Sequence, residues 1–323
     1  VLLAGTLCAL ASAVVFLSAD TVAQLLVGRV LSGLSAGLFT GTATAAIIES
    51  APPRWHTRAP AVATIANMGG LSSGPILAGL LVQYAPEPLR LPFVVHIALT
   101  VLAGIAALVA PETSPCTGKI RLQRLSVPPP VRPIFIIAAL AAFAGFAVTG
   151  LFAAVAPAFV AEVIGIGNYA LAGLISGSIF AASAAAQILA VRIAPRRAVA
   201  LGCAILIVGM VVLAVALHFS SLPALIAASL VSGLGQGISF SRGLAAVAEG
   251  TPAEVRAAVN SAYFVVAYVA ISMPVVGAGL AAQAWGLRAS GTVFALAVGV
   301  LAAACLVAIV RQQSRTCESK TVV

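Results

Sequence analysis

Ten apolar stretches, each of about 20 residues, follow one another along this chain, parted by short polar breaks and by one longer basic loop at residues 111–132. That pattern places the chain in a lipid bilayer. Inside hydrocarbon only an α-helix or a closed barrel satisfies its own backbone groups, and stretches this long without period-two alternation are helices. The spans read as residues 1–18, 21–48, 59–84, 89–110, 133–160, 168–191, 196–218, 222–248, 256–284 and 287–311. Composition serves only to remove the alternatives. With 62% hydrophobic and 8% charged residues and a mean hydropathy of +1.15, the chain lies outside the range of soluble domains. A net charge of +9 suggests nucleic acid, but the basic residues stand singly or in small groups between spans, with no extended basic face. No nucleic-acid partner is expected.

The basic residues report topology instead. If the first span starts in the cytoplasm, the inner loops and tail hold thirteen of them, among them Arg54, Arg58, Lys119, Arg121, Arg124, Arg132, Arg256 and Arg311, against Arg90 and Arg288 outside. This positive-inside bias puts both ends of the chain in the cytoplasm. Ala-rich spans with more Arg than Lys point to a bacterial cytoplasmic membrane, so the expected location is the cell membrane, multi-pass. Val1 opens straight onto an apolar run with no basic region before it, which reads as a truncated start rather than a signal peptide. Cys8, Cys116, Cys203, Cys305 and Cys317 show no paired spacing, and two of them fall in predicted cytoplasmic segments, so neither a disulfide nor a metal site is expected. His56, His96 and His218 are scattered and no acidic doublet occurs, which leaves nothing to build an enzyme site or hold a cofactor.

An internal repeat appears at an offset of 200 residues. Ser32, Gly33, Leu34 and Gly37 fall on Ser232, Gly233, Leu234 and Gly237; Glu49 falls on Glu249 and Pro52 on Pro252. Further along, Ser72, Ala78, Gly79, Leu80 and Gln83 fall on Ser272, Ala278, Gly279, Leu280 and Gln283. The rarer Glu, Pro and Gln keep register across a helix, loop, helix unit, and both copies cross in the same direction, as parallel repeats do. The expected organisation is an N-terminal half at 1–110 with four helices, a cytoplasmic linker at 111–132, a C-terminal six-helix half at 133–311 and a tail at 312–323. Equal halves would require two more helices ahead of Val1.

Residues 28–37, GRVLSGLSAG, and 70–79, GLSSGPILAG, resemble two signatures of the major facilitator superfamily, in its twelve-helix drug:proton antiporter branch. The first resembles the fourth-helix motif built on an Arg, and the second the fifth-helix antiporter motif. Ser32 stands where the family usually has Gln, and Ala78 where it has the first Gly of a closing pair. The family's loop motif between its second and third helices is absent. The resemblance implies an all-α transmembrane fold, a major facilitator-type bundle of two pseudo-symmetric halves with ten of twelve helices present. It also implies a monomer acting as a secondary active transporter by alternating access. The most specific version is proton-coupled export of a small hydrophobic or amphipathic compound, with that small-molecule substrate, protons and the lipid bilayer as partners. Metabolite uptake or exchange on the same fold, and a nontransporting membrane remnant or sensor, are the alternatives.

Individual residues carry physical readings of their own. Arg29 lies roughly 12 Å below the outer surface, at about 1.5 Å per residue, where a guanidinium is costly unless it faces a cavity or a partner. The resemblance places a proton-relay Arg at this position; outward snorkelling is the plain alternative. Arg242, nearer the inner end of its span, divides between snorkelling and cavity lining. Glu49 and Glu249 occupy matching inner helix ends, and Glu49 precedes Arg54 and Arg58, so an inner-gate ion cluster stands against an ordinary interfacial pair. Gly70 and Gly74 present a bare ridge, Pro75 bends the helix, and with Gly79 they form the antiporter-type helix motif, expected to pack tightly on a neighbouring helix. The same packing is expected of Gly33 with Gly37, Gly173 with Gly177 and Gly233 with Gly237. A cavity needs polar atoms near the midplane, and the candidates are Thr42, Asn67, Gln187, Gln236, Tyr263 and Tyr268. So few polar groups suit a hydrophobic or amphipathic solute better than a sugar.

Overall fold

The computed structural model describes residues 1–55, 58–110 and 125–321; of these, 253 and 313–321 are described by backbone alone. Lys119, Arg121, Arg124 and Cys116 of the expected linker, together with His56, lie outside the described residues. Ten long helices follow in order: α1 (Leu2–Leu17), α2 (Val22–Glu49), α3 (Ala59–Tyr84), α4 (Leu91–Val109), α5 (Arg132–Ala158), α6 (Tyr169–Leu189), α7 (Pro195–His218), α8 (Leu222–Glu249), α9 (Arg256–Trp285) and α10 (Leu287–Thr321). Among the described residues there is no strand, and nine helices are long and apolar enough to cross a membrane. The exception is α1, whose 16 residues extend only about 24 Å, less than the hydrocarbon thickness. At the other end α10 continues through the segment read as a tail, as far as Thr321.

The repeat is visible in the elements. α2 and α8 each have 28 residues and start 200 apart. Each is capped by a hydroxyl that accepts a backbone N–H: Thr21 from Gln24 at 3.3 Å, and Ser221 from Ala224 at 3.4 Å. They end at Glu49 and Glu249, after which 3-10 turns at Pro53–Trp55 and Ala253–Val255 lead into helices with internal prolines, Pro75 in α3 and Pro274 in α9.

The helices gather into two compact units. One comprises Val1–Gly70 and Leu77–Ile120. In it the Ser12 hydroxyl donates to the Gly28 carbonyl at 2.8 Å, and the Phe16 ring fills the space beside Gly28 and stacks on Phe93 at 5.5 Å. The other comprises Leu71–Ile76 and Arg121–Val323. Its core joins α5, α6, α7, α8 and α10 through Leu151, Phe152, Ile175, Ile179, Leu206 and Leu213, all buried.

Lipid is as apolar as leucine, so these helices associate through close packing and interhelical hydrogen bonds rather than through the hydrophobic effect. Accordingly α8 carries a small-residue stripe against its neighbours. Gly233 and Gly237 lie against the Ile179 and Ser183 carbonyls of α6, and Gly235 against the α7 backbone at Leu206. The Ser176 hydroxyl donates to the Phe152 carbonyl at 3.0 Å, and that of Ser229 to the Ile175 carbonyl at 2.9 Å. The sequence-equivalent Gly33 and Gly37 of α2 have no atom within 4 Å of a Cβ position, so the expected packing holds for the second copy of this pair and not for the first.

The end of α5 departs from regular helix. Phe159–Val163 form a wide π-turn, closed by the Ile164 amide donating to the Phe159 carbonyl at 3.0 Å. Both Phe159 and Val160 are buried there.

Candidate functional site

α8 carries a run of polar side chains into the interior of the second unit because Ser and Gln replace the larger apolar residues that its Gly neighbours exclude. Gln236 lies midway along the helix, about 20 Å from either end at about 1.5 Å per residue, and is 1% exposed. Its side-chain stem presses into a notch left by Gly145 of α5, where an added Cβ would stand 2.8 Å from Gln236 Cγ. Its amide oxygen Oε1 is buried without a hydrogen-bond partner. A buried acceptor in that state costs about 1–3 kcal/mol unless water or a solute meets it. Three more atoms share the condition: Ser232 Oγ one turn toward the N-terminal end of α8, Arg242 Nε toward its C-terminal end, and Asn260 Oδ1 in α9. Such orphans are rare in native proteins, and each calls for water, an ion or another group to meet it.

One turn further along α8, Phe240 belongs to an aromatic cluster. Phe146 meets Phe240 edge-on at 4.8 Å, and Phe240 meets Phe264 at 5.8 Å. Phe240 also stacks on Tyr263 at 5.6 Å. Tyr263, a cavity candidate by sequence, is fully buried, and its hydroxyl is shared between the Ala138 and Phe240 carbonyls at 3.3 and 3.2 Å. It ties α5, α8 and α9 together, and its hydroxyl donor is already occupied. Gln187, also buried, donates from Nε2 to Ser183 Oγ at 3.1 Å. Tyr268 is 44% exposed on α9, and Thr42 and Asn67 are half-buried on α2 and α3.

Arg29 has an aromatic neighbour that the sequence does not reveal: its guanidinium lies 5.8 Å from the centroid of Phe16. Glu49 and Glu249 are exposed as the last residues of α2 and α8. In α3 the expected glycine ridge does not make the packing contact. Gly70 and Gly74 have no atom within 4 Å of a Cβ position, whereas Ser72 Oγ donates to the Gly177 carbonyl at 2.9 Å, and a Cβ on Gly177 would stand 2.5 Å from the Ser72 carbonyl oxygen. Pro75 lies inside the helix and Gly79 is buried. Sequence reading singled out Gln236 but passed over Ser232 and Asn260. A hydroxyl or amide in an Ala-rich helix shows which way it faces only once its neighbours are placed.

Comparison with known proteins gives a family and a fold. A profile described as Major Facilitator Superfamily matches residues 1–273. No curated protein matches the chain at a significant level. Among solved structures, a bacterial homolog of the human lysosomal transporter Spinster, in an inward-facing and occupied conformation, superposes with a TM-score of 0.67 at 17% identity, covering 95% of this chain and 82% of that one. The inward-facing, unoccupied form gives 0.66 at 16%, with coverage of 95% and 82%. The human organic anion transporter TETRAN also gives 0.66 at 16%, covering 94% of this chain and 76% of that one.

Proposed function

On the premise that this chain belongs to the major facilitator superfamily, we propose that it is a secondary active transporter that exports a small hydrophobic or amphipathic compound against proton entry. Alternating access, in which a midplane site opens to one side and then the other, is the mechanism of this fold. The single observation that carries the substrate reading is Gln236, whose amide acceptor is unpartnered at mid-helix, one turn from Phe240, which packs against Phe146 and Phe264. One such acceptor beside aromatic faces suits a solute with an apolar body and a single donor group. A polyhydroxylated solute would leave many of its own groups unpaired.

Proton coupling rests on the resemblance of residues 28–37 to the antiporter branch and on Arg29. Its position against Phe16 keeps a cation on α2, near which a carboxyl group would have a lowered affinity for protons. Both charged residues well inside the described spans, Arg29 and Arg242, are cations, and this favours a second reading in which the solute is an organic anion. The fold neighbour described as an organic anion transporter is consistent with it.

The test is transport in proteoliposomes under an imposed pH gradient, using a fluorescent lipophilic amine and a fluorescent carboxylate as separate probes, each scored as the excess over protein-free liposomes, in which weak bases and acids redistribute passively. Accumulation of the amine that collapses with a protonophore supports the first reading; accumulation of the carboxylate alone supports the second. Transport unaffected by the protonophore would remove proton coupling from both.

A further inference from the structure

Within the first unit, the turn between α2 and α3 lines an open cleft of about 320 Å³, at the lower end of ligand-sized pockets, which run from roughly 300 to 1,000 Å³. Its walls are apolar, formed by Ile47, Pro52 and Val62, and its rim holds Arg54 and Trp55. Trp55 is 44% exposed, and the guanidinium of Arg58 lies 6.0 Å from its ring centroid. An exposed Trp with flanking arginines at a helix end has the composition of a membrane–water interface, where the indole sits among headgroups and the cations meet phosphate.

The chain supplies its own control. The equivalent turn of the second copy keeps the proline, at Pro252, and the 3-10 geometry, at Ala253–Val255, yet places Glu254 where the first copy has Arg54, Val255 where it has Trp55, and Ala258 where it has Arg58, with its one cation, Arg256, at the position of His56. The turn itself therefore requires neither the indole nor a pair of arginines at these positions, and their presence in the first copy needs a different cause.

We propose that this cleft is a binding site for an anionic phospholipid of the adjoining leaflet, with an acyl chain between Ile47 and Val62, the glycerol region against Trp55, and the phosphate held by Arg54 and Arg58. The site is independent of the transported solute. Charge complementarity selects the occupant: a zwitterionic lipid offers the same chain but brings its own cation toward the two arginines. Each arginine contributes about fivefold in association, the equivalent of about 1 kcal/mol per basic residue near an anionic surface.

Trp55 serves as the reporter. The chain has two tryptophans, and Trp285→Phe, at the end of α9, leaves Trp55 as the single indole emitter. The full chain carrying this substitution is reconstituted in phosphatidylcholine vesicles containing, at equal mole fraction, either phosphatidylglycerol or phosphatidylcholine with brominated acyl chains. Brominated phosphatidylglycerol should quench Trp55 with roughly 25-fold higher relative association, about fivefold for each arginine. In Arg54→Glu/Arg58→Ala, which installs the residues that the second copy carries on the same turn, the two lipids should quench alike. Equal quenching without those substitutions, or a preference that survives them, would overturn the assignment.

Discussion

The sharpest consequence of the α8 interior is that improving its packing should damage its function. Replacing Gln236 with Met keeps the unbranched stem that fits the Gly145 notch, where a branched side chain would collide with the α5 backbone. Met removes the unpartnered acceptor, which returns about 1–3 kcal/mol. The expectation is a stabilisation of about 1 kcal/mol, the low end of that range. Thermal unfolding of detergent-solubilised protein can be followed with a thiol-reactive dye, because Cys203 and Cys305 are buried and free and become reactive on unfolding. Gln236→Met should raise the midpoint by a few degrees, on the scale of about 2–4 °C per kcal/mol for domains of about 150–250 residues, while transport in proteoliposomes falls at least tenfold. Gly145→Ala serves as the opposite control: its Cβ would lie 3.1 Å from the Gln236 backbone, so it should lower the midpoint. A lower midpoint for Gln236→Met with transport intact would show that the amide is interhelical glue and that the solute does not meet it.

Three other outcomes rest on named contacts. Arg29→Ala should abolish accumulation driven by a pH gradient while downhill solute exchange persists, and Phe16→Leu, which removes an aromatic contact of about 0.5–1 kcal/mol, should weaken coupling without abolishing it. In the seam formed by Leu71–Ile76 and α6, Gly177→Ala should cost about 1–3 kcal/mol in thermal stability because its Cβ meets the Ser72 carbonyl, whereas Ser72→Ala should cost about 0.5–1.5 kcal/mol. Arg54→Cys and Arg256→Cys should both be labelled by an impermeant maleimide from the cytoplasmic side, and labelling from opposite sides would refute the parallel repeat.

Much of the helix layout can be read from the chain because the bilayer removes most alternatives. The ends of α2 and α8 fall within a residue of the expected limits, since Thr21 and Ser221 start them and the Pro52 and Pro252 turns stop them. Side-chain environment is far less legible. Gly33 with Gly37 and Gly233 with Gly237 are the same motif at the same register, yet only the second pair lies against carbonyls, because contact depends on which helix stands opposite. Tyr263 reads as a polar group available to a solute until the Ala138 and Phe240 carbonyls are seen to occupy its hydroxyl. Arg29 invites a carboxylate partner on grounds of charge, whereas the neighbour in place is the ring of Phe16, 13 residues earlier in the chain.

The wide turn at Phe159–Val163 bears on how long α5 has to be. Five residues close a loop there that four would close in regular helix, so one residue more than α geometry needs is held within the turn. Phe159 and Val160 are both buried at that point. Excision of Ala161 should let the turn relax to ordinary α geometry, so this is the point on the helix where its length can drift at least cost.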